Sequence, residues 1–135
     1  MKVLFVCSVN RLRSLTAHHV FRMTHPQHEY KSAGTDVTND LPYNSELGSN
    51  ILKQEFVEWA DRIICMEKYH VDKIMKRFER FVPDLRKKIW TANIKDNYDY
   101  MSPVLIQLLE DKILLGGRVG TKEIDINLVE GLNEK

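Results

Sequence analysis

At 135 residues, with 43% hydrophobic and 29% charged side chains, the chain has the length of one domain and the composition of an ordinary globular protein rather than a disordered one. Its 20 Lys and Arg against 19 Asp and Glu leave a formal net charge of +1, so no global basic field argues for nucleic acid. Two cysteines are too few for a disulfide framework or a zinc ribbon, and no apolar run approaches the length that spans a bilayer.

The N-terminus places Lys2 before a short apolar run, LFVC, and two arginines follow within SVNRLR. A secretory segment needs a longer apolar stretch without early arginines, so Met1 reads as the start of a cytoplasmic chain. A reducing compartment keeps both thiols free.

KVLFV (2–6) is short and β-branched, the pattern of a buried strand. From Arg13 or Ser14 the apolar residues Leu15, Val20, Phe21 and Met23 recur near helical spacing, up to a turn at His25-Pro26. A brief strand is expected at Tyr30–Ser32, ending at Gly34, and 36–44 reads as a polar loop. Asn44 or Ser45 can cap a helix carrying Leu47, Ile51, Leu52, Phe56 and Trp59. DRIICM (61–66) predicts the next strand, and a helix from about Glu67 to Arg80 follows it. A fourth strand lies within 87–94. A last helix covers 101–115, with Ser102 at its cap, Pro103 at its first turn and Gly116-Gly117 beyond its end.

This strand–helix alternation predicts an α/β fold, a four-stranded parallel sheet flanked by helices on both faces. Residues 1–117 form the domain. Residues 118–135 form a tail that can dock, add a strand at EIDINLV, or remain unstructured.

Ligands of such sheets bind at the carboxyl ends of the strands, and Cys7 stands there with Arg13 six positions later. A cysteine at a strand end is either small buried packing or a nucleophile. The surrounding types favour the nucleophile. Backbone N–H groups of a loop wrapped at a helix N-terminus, here Ser8, Val9, Asn10, Arg11, Leu12 and Ser14, can cradle a phosphate and stabilise a thiolate at its centre. Arg13 can hold two phosphoryl oxygens in a bidentate fork. The Ser14 hydroxyl can donate to the thiolate, and Asn10 suits a left-handed backbone position. Arg11 is expected to point outward, where it is either a solvated surface charge or an attraction for anionic substrates.

VLFVCSVNRLRS and the following A-x-x-VF resemble the opening of the low-molecular-weight protein tyrosine phosphatases. SAGT (32–35), ADRIICMEKYH (60–70) and IKDNYDY (94–100) are similar to that family's second-strand segment, third strand with its M-[DE] turn, and acid loop. RLRS, the W-A-D-x-I segment and NYDYMSP resemble a shorter branch of predicted tyrosine phosphatases. The resemblance covers roughly residues 2–115 and implies a four-stranded parallel sheet with flanking helices.

It also implies that Asp96 is the proton donor, with Asp99 the competing acid and a candidate cap for the last helix. Tyr98 becomes an aromatic wall for an aryl substrate, and Ser32 a support that hydrogen-bonds Asn10; the alternative is a serine satisfied by its own backbone. Several positions depart from the family pattern. Val9 stands where a glycine is usual, which strains the loop if that position needs φ > 0. Leu12 replaces a second cysteine, Leu15 a proline, and Asn97 the proline after the acid.

The expected activity is hydrolysis of phosphotyrosine or a similar aryl phosphomonoester through a phosphocysteine, with no metal and no cofactor. The partner is a phosphotyrosine-containing protein or small aryl phosphate, not nucleic acid or a membrane. A non-catalytic phosphate-binding module and a thiol-dependent arsenate reductase are the rival readings. Cys65, inside an apolar strand, is expected to be structural. His18 and His19, adjacent on a helix, diverge by about 100° and do not readily share a metal, and His25 and His28 have no third ligand in sight.

Overall fold

The structure, a computed structural model, describes residues 1–37, 48, 50–115 and 119–121. Strands β1 (Lys2–Cys7), β2 (Glu29–Gly34), β3 (Arg62–Cys65) and β4 (Ile89–Thr91) form one parallel sheet in the order β2-β1-β3-β4. The central strand, β1, is paired on both edges and covered on both faces, which is why its sequence is an unbroken apolar run.

Successive side chains of β1 point to opposite faces. Val3, Phe5 and Cys7 enter one core with Phe21, Leu105 and Leu109, so α1 (Arg13–Thr24) and α4 (Pro103–Lys112) cover that side. Leu4 and Val6 enter the other core with Val57 and Ile74, from α2 (Gln54–Trp59) and α3 (Lys68–Phe78). Phe5 also stacks on Phe21 and Tyr30, at centroid separations of 5.6 and 5.9 Å. The expected fold class therefore holds.

Three boundaries differ from expectation. The helix expected from residue 44 or 45 begins only at Gln54. Asn50 to Leu52 instead run along the free edge of β2: the Gly34 N–H donates to the Asn50 carbonyl, and the Leu52 N–H donates back to Gly34. An edge strand has main-chain groups to satisfy, and this segment satisfies them. Asn44, Ser45 and the loop beyond Val37 lie outside the described residues, apart from Gly48.

The fourth strand is confined to Ile89–Thr91, because Leu85–Lys87 form a 3-10 turn and Asn93 takes φ 56°. Helix α4 starts as expected, with Ser102 capping Leu105 and Pro103 in its first turn, but stops at Lys112. Ile113 is already extended and opens β5 (Ile113–Leu115), which pairs antiparallel with β6 (Val119–Thr121). This hairpin straddles the expected division at 117/118. Residues 123–129 lie outside the described residues.

Candidate active site

Cys7 closes β1 and Arg13 opens α1, so the intervening loop sits at the carboxyl end of the central strand. Leu12, at the N-cap of α1, supplies no side-chain cap, and no acidic residue occupies the helix's first turn. Its leading N–H groups and the positive end of its dipole are thus left for an anion.

Pairing with the chain after β2 continues past the strand end. Thr35 N–H donates to the Cys7 carbonyl at 3.0 Å, and Asp36 N–H to the Ser8 carbonyl at 2.7 Å. Gly34 makes this approach possible, since a Cβ there would lie 2.5 Å from the Ser8 carbonyl oxygen. Asp36 is in turn gripped by Lys73 and Tyr69 of α3; burial raises its pKa, but these partners outweigh it and hold the carboxyl below its ordinary value.

Asn10 occupies the left-handed backbone position, with φ 57°, as its residue type suggests. It is fully buried. Its Nδ2 donates to Ser14 Oγ at 2.8 Å, and its Oδ1 accepts from the Asn50 N–H at 3.1 Å and from Asn50 Nδ2 at 3.0 Å. Ser14 Oγ also lies 3.0 Å from Cys7 Sγ; a thiolate can only accept, so once Cys7 is ionised the Ser14 hydrogen is the donor of this pair. Val9 does not adopt a positive φ, so the strain that a β-branched residue would bring there does not arise, and its side chain lies on the exposed rim. Arg11 is exposed, as expected, and Leu12 is half-buried at the N-cap of α1.

Arg13 is 2% exposed. Its Nη1 donates to the Glu67 carboxylate and, at 2.8 Å, to the Ile94 carbonyl. Its Nε lies 3.7 Å from Asp96 Oδ1. One Nη corner of the fork is thereby fixed, and other donors remain for a ligand. Asp96 is thus beside the loop arginine. Among the described residues Asp99 makes no such contact; its carbonyl accepts the Ser102 N–H, and Ser102 rather than Asp99 caps α4.

The Asp96 loop is strapped to α1 by two bonds: Tyr100 OH with His19 Nδ1 at 2.7 Å, and Met101 N–H with Thr16 Oγ1 at 2.9 Å. Tyr98 is half-buried against the core under α1 and α4.

Ser32 requires a correction. It does not bond Asn10 directly. Its hydroxyl is 2.9 Å from His18 Nδ1, and its carbonyl accepts from Asn50 Nδ2, the group that also holds Asn10. The support passes through Asn50, which the chain places there only because residues 50–52 cover the β2 edge. Cys65 is fully buried in β3, and burial, followed by the charge of nearby Cys7, pushes its thiol well above the ordinary value. Among the described residues no three His, Cys, Asp or Glu side chains gather as a metal-binding group.

Three contributors escaped sequence reasoning. Glu67 stands in the M-[DE] turn, where an acid was visible without a partner to explain it. Asn50 and His70 were not singled out, because the contacts that bring them to the Cys7 loop, with Asn10 and with Ser8, span 40 and 62 residues. His70 is fully buried, accepts the Glu67 N–H at Nδ1 (3.0 Å), and has Nε2 3.0 Å from Ser8 Oγ.

No protein-family profile matches the chain. The low-molecular-weight protein-tyrosine-phosphatase PtpB of Staphylococcus aureus is 32% identical over 90 residues, which cover 58% of this chain and 65% of that protein. The chain therefore spans slightly less than two thirds of the curated relatives' length. A solution structure of a low-molecular-weight protein tyrosine phosphatase from Bacillus subtilis is 26% identical, with a TM-score of 0.55, covering 68% of this chain and 70% of that one. The YwlE arginine phosphatase of Geobacillus stearothermophilus is 24% identical with a TM-score of 0.58, over 81% of this chain and 88% of that one, and shows a likeness of fold. The curated relatives and many of the solved structures similar to this chain are low-molecular-weight protein tyrosine phosphatases, and it has their parallel-sheet fold, with the Cys7 loop after the first strand.

Proposed function

We propose that the chain is a cysteine-dependent phosphatase acting on phosphotyrosine or a similar aryl phosphomonoester. One observation carries this reading: the Cys7 sulfur lies 3.0 Å from the Ser14 hydroxyl oxygen inside a loop that ends at a buried arginine, with Asp96 at that arginine's edge. The substrate phosphoryl group sits over Cys7, its oxygens held by loop N–H groups and by Arg13. Sulfur attacks phosphorus in line as the phosphorus–oxygen bond to the aryl group breaks, and Asp96 gives its proton to the departing oxygen.

A phosphocysteine results. Water then attacks phosphorus, Asp96 takes its proton, and the sulfur leaves as thiolate with Ser14 donating to it. Arg13 and the loop amides stabilise charge on the equatorial oxygens in both steps. Tyr98 flanks the aryl ring. The partner is a phosphotyrosine-containing protein or a small aryl phosphate.

The test is hydrolysis of phenyl phosphate and of a phosphotyrosine peptide. Cys7→Ser reduces turnover to background while inorganic phosphate still binds. Turnover retained by Cys7→Ser overturns the mechanism. A chain that binds phosphate but hydrolyses neither substrate is the non-catalytic module instead. A phosphoarginine peptide cleaved in preference to both aryl substrates would move the substrate class to that named for the Geobacillus protein. Arsenate reduction coupled to an external thiol would mark the third reading.

A further inference from the structure

His70 is a buried titratable group that the proposed mechanism does not use. It is the third residue of α3, and both of its ring nitrogens are engaged. The Glu67 N–H can only donate, so Nδ1 accepts, and the neutral ring carries its hydrogen on Nε2. That hydrogen goes to Ser8 Oγ at 3.0 Å. Once Ser8 Oγ has accepted from His70, its own hydrogen has no protein acceptor among the described residues.

Ser8 directly follows the nucleophile, and its carbonyl is pinned by the Asp36 N–H, which fixes the main chain from which its side chain projects. Glu67 joins this arrangement to the arginine, since its carboxylate binds Arg13 while its N–H sets the His70 ring. Burial first, then the Arg13 charge, push the His70 pKa down to about 4, so the ring stays the neutral Nε2–H donor near neutral pH.

We propose that His70 is a positioning residue: its Nε2–H fills the acceptor side of Ser8 Oγ and so turns the Ser8 hydrogen toward a phosphoryl oxygen bound over Cys7. Ser8 thereby adds a side-chain donor to the loop's main-chain donors. This rests on the phosphatase reading, because it needs a phosphoryl group over Cys7. No bond breaks at Ser8 or His70; the pair supplies hydrogen bonds only.

The experiment compares Ser8→Ala, His70→Asn, His70→Gln and the double variant Ser8→Ala/His70→Asn. Phosphate affinity is read by NMR titration, and kcat and KM with phenyl phosphate. Asparagine keeps an acceptor for the Glu67 N–H and loses the reach to Ser8, whereas glutamine keeps a donor near the position of Nε2. Ser8→Ala and His70→Asn each lower phosphate affinity and kcat/KM by about ten- to a hundredfold, as expected for one hydrogen bond to a charged group. The double variant loses no more than Ser8→Ala alone, and His70→Gln recovers most of the loss.

A merely structural His70 gives a different result: losses that add in the double variant, or a fall in melting temperature with phosphate affinity unchanged. Either overturns the proposal, as does Ser8→Ala with wild-type phosphate affinity and kcat/KM. If the wild type binds phosphate but hydrolyses no phosphomonoester, the phosphatase reading fails, and the affinities alone decide the Ser8–His70 coupling. A wild type that binds no phosphate overturns both.

Discussion

Of the two loops that meet at Arg13, the one between β1 and α1 is cross-tied through buried Asn10, whereas the one between β4 and α4 turns its acids toward solvent. Asn10 and Ser14 are 0% exposed, while the Asp96 side chain is 59% exposed. Asn10 alone makes hydrogen bonds to Ser14 and to the main chain and side chain of Asn50, and the Cys7 and Ser8 carbonyls are both paired across to Thr35 and Asp36. The acid loop has its straps at Tyr100 and Met101, four and five residues beyond Asp96. A group that must hold a dianion in fixed geometry gains from many mutual constraints. A group that must give and later take a proton needs reach and access to water.

The comparison is broken most severely at the arginine. Arg13→Lys removes the planar fork and cannot serve Glu67, the Ile94 carbonyl and a phosphoryl group together. The expected loss in kcat/KM for phenyl phosphate is about 10²- to 10³-fold, by analogy with removal of a transition-state donor. A loss below about tenfold would mean that the main-chain cradle alone holds the phosphoryl group.

Asp96→Asn tests the other loop. Turnover of phenyl phosphate falls by about 10²-fold, and that of p-nitrophenyl phosphate falls less, because a good leaving group needs little help from an acid. Asp99→Asn stays close to the wild type. Reversal of the two aspartates' effects would transfer the acid role to Asp99.

The smallest effect is on stability. Arg13, Glu67, Asp36 and Lys73 face His70, and burial with the Arg13 charge outweighs the acids, leaving a folded pKa of about 4. An unfolded histidine titrates near ~6.5, so between these values the unfolded chain binds a proton that the folded chain refuses. Stability therefore falls as pH drops from about 6.5 toward 4, by up to roughly 1.4 kcal/mol per pH unit from this group. Urea midpoints measured from pH 7 to 4.5 should decline less steeply in His70→Asn than in the wild type. Equal slopes would assign the acid sensitivity to the carboxylates.

The two loops also differ in how much of them could be read from residues alone. Asn10 at φ 57°, Ser14 beside Cys7 and Arg13 at the helix start all follow from short-range rules about residue type and spacing. Contacts made at a distance did not. The Ser32 hydroxyl was expected on Asn10 and is found on His18, because Asn50 arrives along the β2 edge and takes that place. The helix expected to carry Ile51 and Leu52 gave way for the same reason: apolar spacing cannot say whether a segment's main-chain groups will be claimed by a neighbouring strand.

By itself, then, the sequence determined the alternation of strands and helices, the parallel sheet, and the loop in which a cysteine, a serine and an arginine share one anion-binding end, since these rest on periodicity and on neighbours within one turn of chain. Only the tertiary structure decided what holds that loop. Glu67 on Arg13, His70 on Ser8 and Asn50 on Asn10 are pairs separated by 54, 62 and 40 residues. Such pairings are set by how the strands lie side by side, and no local pattern encodes them.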